Sequence, residues 1–129
     1  MYAIKGGKNN KWCADESHVG RILCDREDNQ ISTWERFTLT HLGNNEYSIK
    51  GGKAQKYCSD GGSDGTVVCS ADNVGQNEKF LIKSLGDEKY AIRGGRGKWC
   101  ADESHVNRVK CSREDNQIST WETWKFKKL

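Results

Sequence analysis

Two polar clusters in this sequence carry the side chains that could do chemistry, and each cluster occurs twice. Asp15-Glu16 with His18 returns as Asp102-Glu103 with His105. The segment from Arg26 to Gln30 returns from Arg113 to Gln117. A carboxylate beside an imidazole could act as an acid–base pair, but a catalytic site is usually unique within a chain. Duplicated polar clusters therefore favour a binding protein over an enzyme.

The side chains of the second cluster suit the recognition of sugar hydroxyl groups. Arg, Asp and Asn present several donors and acceptors in a fixed arrangement, and such groups bond neighbouring hydroxyls in pairs. The alternative is a solvated turn whose side chains bond to their own backbone, and for the first cluster a hairpin turn that Ser17 and His18 merely cap. The candidate binding residues are Asp15, His18, Arg26, Asp28, Asn29 and Gln30, and their copies Asp102, His105, Arg113, Asp115, Asn116 and Gln117.

These clusters belong to a chain made of three copies of one unit of about 43 residues. The segment Tyr2-Ala3-Ile4-Lys5-Gly6-Gly7-Lys8 returns in similar form from Tyr47 and from Tyr90. The second unit replaces the first cluster with Asp60-Gly61-Gly62-Ser63-Asp64-Gly65 and has no copy of the second. We predict one domain over 1–129, with repeats at about 2–46, 47–89 and 90–129.

Each unit is predicted to contain four β-strands, because short β-type runs alternate with Gly, Asn, Asp and Ser clusters and no helical period is present. In the first unit they are Tyr2 to Lys5, Lys11 to Asp15, Arg21 to Asp25 and Trp34 to Leu39. Three units of four strands match a β-trefoil, in which six strands close a short barrel and three hairpins cap one end. Closure removes the exposed sheet edges. We therefore predict an all-β chain forming a single β-trefoil with pseudo-threefold symmetry.

The six cysteines occur as pairs eleven positions apart: Cys13 and Cys24, Cys58 and Cys69, and Cys100 and Cys111. On adjacent strands of a hairpin each pair could form a disulfide. The alternative is six buried thiols in a cytosolic protein, since cysteine is among the most buried residue types. A zinc site is a weaker third possibility, because the spacing lacks a short C-x-x-C pair and the chain has only three histidines.

Composition and charge exclude other classes. The chain has 21 Lys and Arg against 18 Asp and Glu, and the two signs are interleaved, so the sequence lacks the dense cationic stripe of a nucleic-acid binder. No apolar run has the length of a transmembrane span or of a signal-peptide core. We expect no membrane insertion, no cofactor and no metal, and a soluble protein that is cytoplasmic or released by a non-classical route.

The whole sequence resembles the R-type, or ricin-B-like, lectins. Each unit of that family has a Cys-x-Asp whose aspartate holds galactose hydroxyls, a second cysteine that closes a disulfide, and an Asn-Gln before a tryptophan. The first element is matched by Cys13-Ala14-Asp15, Cys58-Ser59-Asp60 and Cys100-Ala101-Asp102, and the third is resembled by Asn29-Gln30 with Trp34 and Asn116-Gln117 with Trp121. Three residues separate Gln30 from Trp34 here, whereas the family has one.

The resemblance is greatest to the small galactoside-binding R-type lectins of mussels. It implies a non-enzymatic lectin for galactose or N-acetylgalactosamine glycans of glycolipids or glycoproteins, with sites in repeat 1, repeat 3 or both, and a homodimer. Asp15 and Asp102 would accept hydrogen bonds from the sugar, and the Arg, Asn and Gln of the second cluster would complete the clamp. Trp34 and Trp121 are expected to be core pillars or pocket floors.

A second resemblance is to the fascin-like trefoils. It rests on Lys11-Trp12-Cys13-Ala14-Asp15, Cys24-Asp25-Arg26-Glu27 and Trp34-Glu35-Arg36-Phe37. It implies an actin-binding or other protein-binding trefoil, which is the alternative to the lectin.

Overall fold

The computed structural model describes residues 1–62 and 64–129, so Ser63 of the second repeat lies outside the described residues. The described chain is an all-β trefoil. Its strands are β1 (Tyr2–Gly6), β2 (Lys11–Glu16), β3 (Arg21–Arg26), β4 (Thr38–Gly43), β5 (Glu46–Lys50), β6 (Tyr57–Ser59), β7 (Val68–Ala71), β8 (Phe80–Gly86), β9 (Lys89–Arg93), β10 (Trp99–Glu103), β11 (Arg108–Arg113) and β12 (Trp124–Lys128). Short 3-10 turns lie at Ser17–Val19, Thr33–Glu35, Gln76–Glu78, Ser104–Val106, Asp115–Gln117 and Thr120–Glu122.

The barrel closes through strands that come from different repeats. β1 pairs antiparallel with β12, β4 with β5, and β8 with β9. An isolated bridge between Tyr2 and Phe37 connects β1 with the residue before β4. The first and last strands therefore lie side by side, and residues at opposite ends of the chain meet where repeat 3 joins repeat 1.

Three hairpins, β2–β3, β6–β7 and β10–β11, complete the trefoil, and a disulfide crosses each of them. The bonds join Cys13 to Cys24, Cys58 to Cys69 and Cys100 to Cys111, at positions that face one another across the strands. The structure therefore selects the disulfide alternative. Among the described side chains, no group of three His, Cys, Asp or Glu could hold a metal ion.

The core is small and is built from equivalent positions of the three repeats. One layer comes from the strands that begin each repeat, a second from the aromatic residue that closes it, and a third from the capping hairpins. These residues are Ile4, Ile49 and Ile92, then Phe37, Phe80 and Trp124, then Ile22, Val67 and Val109. The segments Glu27 to Gln30 and Glu114 to Gln117 of the second polar cluster remain exposed outside this core.

The fourth strand of the first repeat starts later than predicted. The sequence predicts a strand from Trp34, but Thr33–Glu35 form a 3-10 turn and β4 begins at Thr38. The backbone N–H and the hydroxyl of Ser32 both donate to Glu35 Oε1 at 2.8 Å, and this capping holds the turn. In the part of the chain that is described, no helix has the length and apolar content needed to cross a membrane.

Candidate functional site

Asp15 and Asp102 lie between repeats, and neither side chain has exposed surface. Asp15 Oδ2 accepts hydrogen bonds from the backbone N–H of Lys53 at 3.0 Å and of Ala54 at 3.3 Å, both in repeat 2. Asp102 Oδ2 accepts from the backbone N–H of Lys8 at 3.2 Å, in repeat 1. In this structure both carboxylates are buried and bonded to backbone amides, and the contact of these aspartates with a sugar stays a prediction.

Asp60 makes the third bond of this kind, with the backbone N–H of Arg96 donating to its Oδ2 at 3.1 Å. The three aspartates thus join repeat 1 to 2, repeat 2 to 3, and repeat 3 to 1. Asp15 Oδ1 also accepts from the Ser17 N–H, whereas Asp60 Oδ1 is buried with no partner among the described residues. Burial raises the pKa of Asp60, and the backbone hydrogen bond from Arg96 only partly opposes that shift.

Arg26 connects two buried glutamates, one on the hairpin and one in the 3-10 turn. Its Nη2 lies 2.7 Å from Glu16 Oε2, and its Nε lies 3.3 Å from Glu35 Oε2. Burial works against the ionisation of Glu16, but hydrogen bonds from Arg26 and Arg21 outweigh it, so the pKa of Glu16 is lowered. Arg113 repeats the arrangement with Glu103 and Glu122. Each arginine thereby holds the 3-10 turn against its hairpin.

A shallow depression beside Arg26 brings together three of the predicted residues. Arg26, Asn29 and Gln30 line it with Trp34, and its volume is about 370 Å³. Gln30 Oε1 accepts a hydrogen bond from the Glu27 N–H at 2.6 Å. The matching depression of repeat 3, about 600 Å³, is lined by Arg113, Asn116, Gln117 and Trp121. We call them the Trp34 depression and the Trp121 depression.

The histidines of the first cluster pack on these tryptophans but do not line the depressions. The rings of His18 and Trp34 have centroids 4.9 Å apart, and those of His105 and Trp121 are 4.8 Å apart. A lysine of the following repeat lies over each indole, with Lys53 Nζ 5.3 Å from the Trp34 ring centroid and Lys8 Nζ 5.3 Å from that of Trp121. Each indole therefore contacts side chains of two repeats, a relation that the sequence of a single repeat does not show. Trp34 is half-buried and is a pocket wall, not a core pillar.

Asp28 and Asp115 do not line these depressions. Asp28 Oδ1 accepts from Trp12 Nε1 at 3.1 Å and from Lys5 Nζ at 3.4 Å, and Asp115 Oδ1 accepts from Trp99 Nε1 at 2.8 Å. The predicted single pocket in each repeat is thus divided. Arg26, Asn29 and Gln30 meet at Trp34, His18 packs on the same indole, and Asp15 and Asp28 hold the surrounding framework.

The second repeat lacks the elements of such a site. Asn77 stands where the other repeats have tryptophan, and it follows the second cysteine by two fewer residues. Arg96 Nη1 donates to the carbonyl of Gly62 at 2.7 Å, so this arginine contacts the hairpin, whereas Lys53 and Lys8 lie over an indole. The aromatic depression therefore occurs in repeats 1 and 3.

No protein-family model matches this chain, and no curated protein matches it in sequence. Solved structures do match in fold. The designed threefold-symmetric protein ThreeFoil has a TM-score of 0.82 at 15% identity, over 99% of this chain and 98% of that chain. SeviL, bound to asialo-GM1 saccharide, has a TM-score of 0.74 at 9% identity, over 98% and 95%.

A third similar structure is the lectin of Polyporus squamosus bound to Neu5Acα2-6Galβ1-4GlcNAc. Its TM-score is 0.77 at 19% identity, and the match covers 99% of this chain but 48% of the lectin. Identities this low show the fold alone. They confirm the predicted β-trefoil, whose structural neighbours include small lectins.

Proposed function

We propose that this protein is a non-enzymatic lectin that binds galactose- or N-acetylgalactosamine-containing glycans in the Trp34 and Trp121 depressions. The observation that carries the proposal is the duplication of one arrangement, an arginine, an asparagine and a glutamine beside a half-buried indole. The binding residues proposed in repeat 1 are Arg26, Asn29, Gln30, His18 and Trp34. Their copies in repeat 3 are Arg113, Asn116, Gln117, His105 and Trp121.

The chemistry of the depression fits a terminal sugar. The guanidinium group of Arg26 has five N–H donors. Three of its nitrogen atoms contact Glu16, Asp25 and Glu35, which leaves two N–H groups for a ligand. Asn29 is exposed and offers both a donor and an acceptor to adjacent hydroxyls. The indole presents an apolar surface to the C–H face of a pyranose ring.

The shallow form of both depressions indicates weak binding at each one, with affinity gained when both engage a branched or clustered glycan. The saccharides bound by SeviL and by the Polyporus squamosus lectin support a glycan as the ligand. The homodimer remains a prediction, which sedimentation equilibrium would test.

A glycan array tests the proposal on the wild-type protein and on Asn29→Ala, Asn116→Ala and the double variant. The control is Asn73→Ala, an exposed asparagine in the corresponding loop of repeat 2. We expect wild type and control to bind terminal-galactose glycans equally, each single variant to bind less, and the double variant to lose the signal. Circular dichroism confirms that each variant is folded.

Two results would count against this function. Unchanged binding in the double variant would show that the depressions are not the glycan-binding sites. A blank array for folded wild-type protein would contradict the lectin function. Co-sedimentation with actin filaments would then test the fascin-like alternative.

A further inference from the structure

Where repeat 3 joins repeat 1, four lysines line one cleft of about 340 Å³. They are Lys5, Lys8, Lys89 and Lys125, and we call this site the lysine cleft. The strand pairings explain this arrangement: β1 pairs with β12, and β12 with β9. Lys5 lies directly opposite Lys125 in the β1–β12 register, so residues at the two ends of the sequence become neighbours.

Most of the positive charge in the lysine cleft is uncompensated. Within the described residues, Lys8, Lys89 and Lys125 have no carboxylate within 4.0 Å, and Lys5 has only Asp28, at 3.4 Å. None of the described residues that line the cleft is acidic, although Asp87 and Glu88 line an adjoining depression that also includes Lys5 and Lys125. Four lysines along one cleft create a positive potential there, and this potential favours the binding of an anion.

The lysine cleft adjoins the Trp121 depression. Thr120 lines both of them, and Lys8 of the cleft lies over the Trp121 indole. The backbone of Lys8 is fixed because its N–H donates to the buried Asp102. One ligand can therefore place a sugar ring beside Trp121 and an attached acidic group among the lysines.

We propose that the lysine cleft holds the carboxylate or sulfate group of an acidic glycan whose neutral sugar occupies the Trp121 depression. The inference rests on the proposed lectin function and narrows it, since it assigns acidic glycans to the repeat 3 site.

The other two repeat junctions differ at the positions that make this cleft so basic. By alignment of the repeats, Lys89 corresponds to Met1 and Glu46, and Lys125 corresponds to Thr38 and Leu81. Arg36 and Lys79 stand at the position of Thr123 in those junctions. Each of those junctions therefore has three basic side chains at these positions, whereas the lysine cleft has four. The Trp34 depression should therefore show the weaker preference for acidic glycans.

Isothermal titration calorimetry with matched glycans tests the inference. The ligands are lactose, 3′-sulfolactose and 3′-sialyllactose, and the variant is Lys89→Gln with Lys125→Gln. Both lysines are exposed and neither lines the Trp121 depression. The control is Lys83→Gln with Lys127→Gln, which removes the same charge from exposed positions outside the cleft.

We expect wild type and control to bind at least one acidic ligand about tenfold more tightly than lactose, and the cleft variant to lose that preference while its lactose affinity is unchanged. A preference for one acidic ligand alone identifies the anion. Equal affinity for all three ligands, or a preference that survives in the cleft variant, overturns the inference and leaves the lectin function standing.

A second measurement separates the inference from the proposed function. Sodium sulfate is added to ¹⁵N-labelled protein, and amide shifts are compared with those in sodium chloride of equal ionic strength. If sulfate changes the amide chemical shifts of Gly7, Lys8 and Thr120 and no glycan binds, the anion site is supported and the lectin function is contradicted. If neither sulfate nor an acidic glycan affects these amides, the lysine cleft is not an anion site.

Discussion

At the scale of the residue, an aspartate occupies the same position in all three repeats, but its surroundings in repeat 2 differ from those in repeats 1 and 3. Asp15 and Asp102 each accept a second hydrogen bond at Oδ1, from Ser17 and Ser104. In the second repeat Gly62 occupies the position of these serines, and Asp60 Oδ1 has no partner among the described residues. Burial raises the pKa of both Asp60 and Asp102, but among the described residues only Asp60 combines burial with an oxygen that has no partner there.

We expect Asp60→Asn to make stability less dependent on pH. The pKa of Asp60 is higher in the folded chain than in the unfolded chain. Folding therefore takes up a proton when the pH lies between these two pKa values. The free energy of unfolding therefore falls as pH rises from about 3.8 through the raised folded pKa. The carboxamide cannot titrate, so Tm should change less between about pH 4 and about pH 7 than in wild type. Thermal denaturation followed by circular dichroism measures this.

The control for this prediction is Asp87→Asn, an exposed aspartate in the turn between β8 and β9. It should keep the wild-type pH profile. Identical profiles for wild type and Asp60→Asn would show that Asp60 does not contribute to the pH dependence.

At the scale of the element, the Gly-Gly turns and the 3-10 turns fit together across each repeat junction. Gly52, after β5, lies against the backbone carbonyls of Thr33 and Arg36, so a Cβ at Gly52 has no room. The same turn supplies the N–H of Lys53 to Asp15 and places the Lys53 ammonium over Trp34. The glycine therefore permits a backbone approach on which the candidate site depends.

Gly52→Ala should destabilise the protein by about 1–3 kcal/mol, because the methyl group forces two backbone segments apart. Gly62→Ala is the matched control, since its Cβ would meet nothing closer than the Thr66 carbonyl at 3.6 Å. Urea denaturation gives both free energies of unfolding. Equal stability of the two variants would contradict the close packing of this junction.

At the scale of the whole molecule, the disulfides stabilise single hairpins, and the aspartate hydrogen bonds connect one repeat to the next. Each disulfide joins cysteines eleven positions apart inside one hairpin, whereas the three aspartate bonds run between repeats and close a ring. A loop of this length predicts about 3 kcal/mol of stabilisation for each disulfide. Three of them amount to a large part of the roughly 5–15 kcal/mol by which domains are stable.

Reduction of all three disulfides should therefore remove most of the stability. We expect the urea midpoint of the reduced protein to fall steeply, or the chain to be unfolded in buffer. The measurement is urea denaturation with and without reductant, with a thiol assay to verify that six thiols are free. A midpoint that does not move in fully reduced protein would show that core packing suffices.

Much of the fold was predictable from local sequence. The threefold repeat, the strand and turn alternation and the cysteine spacing all recur within about 43 residues, and they predicted the trefoil. The start of β4 was missed because the Ser32–Glu35 capping bonds are a specific pairing that strand propensity does not register. The disulfides were left open because strand register decides whether two cysteines face each other.

The sequence by itself determined which side chains are duplicated, and therefore that repeats 1 and 3 share a polar arrangement that repeat 2 lacks. Only the tertiary structure decided which of them are buried and which are exposed. Asp15 is buried by a turn 38 positions away, and Lys8 reaches Trp121 from the opposite end of the chain. Such contacts depend on how barrel closure brings different repeats together, and a pattern confined to one repeat carries no information about its neighbour in space.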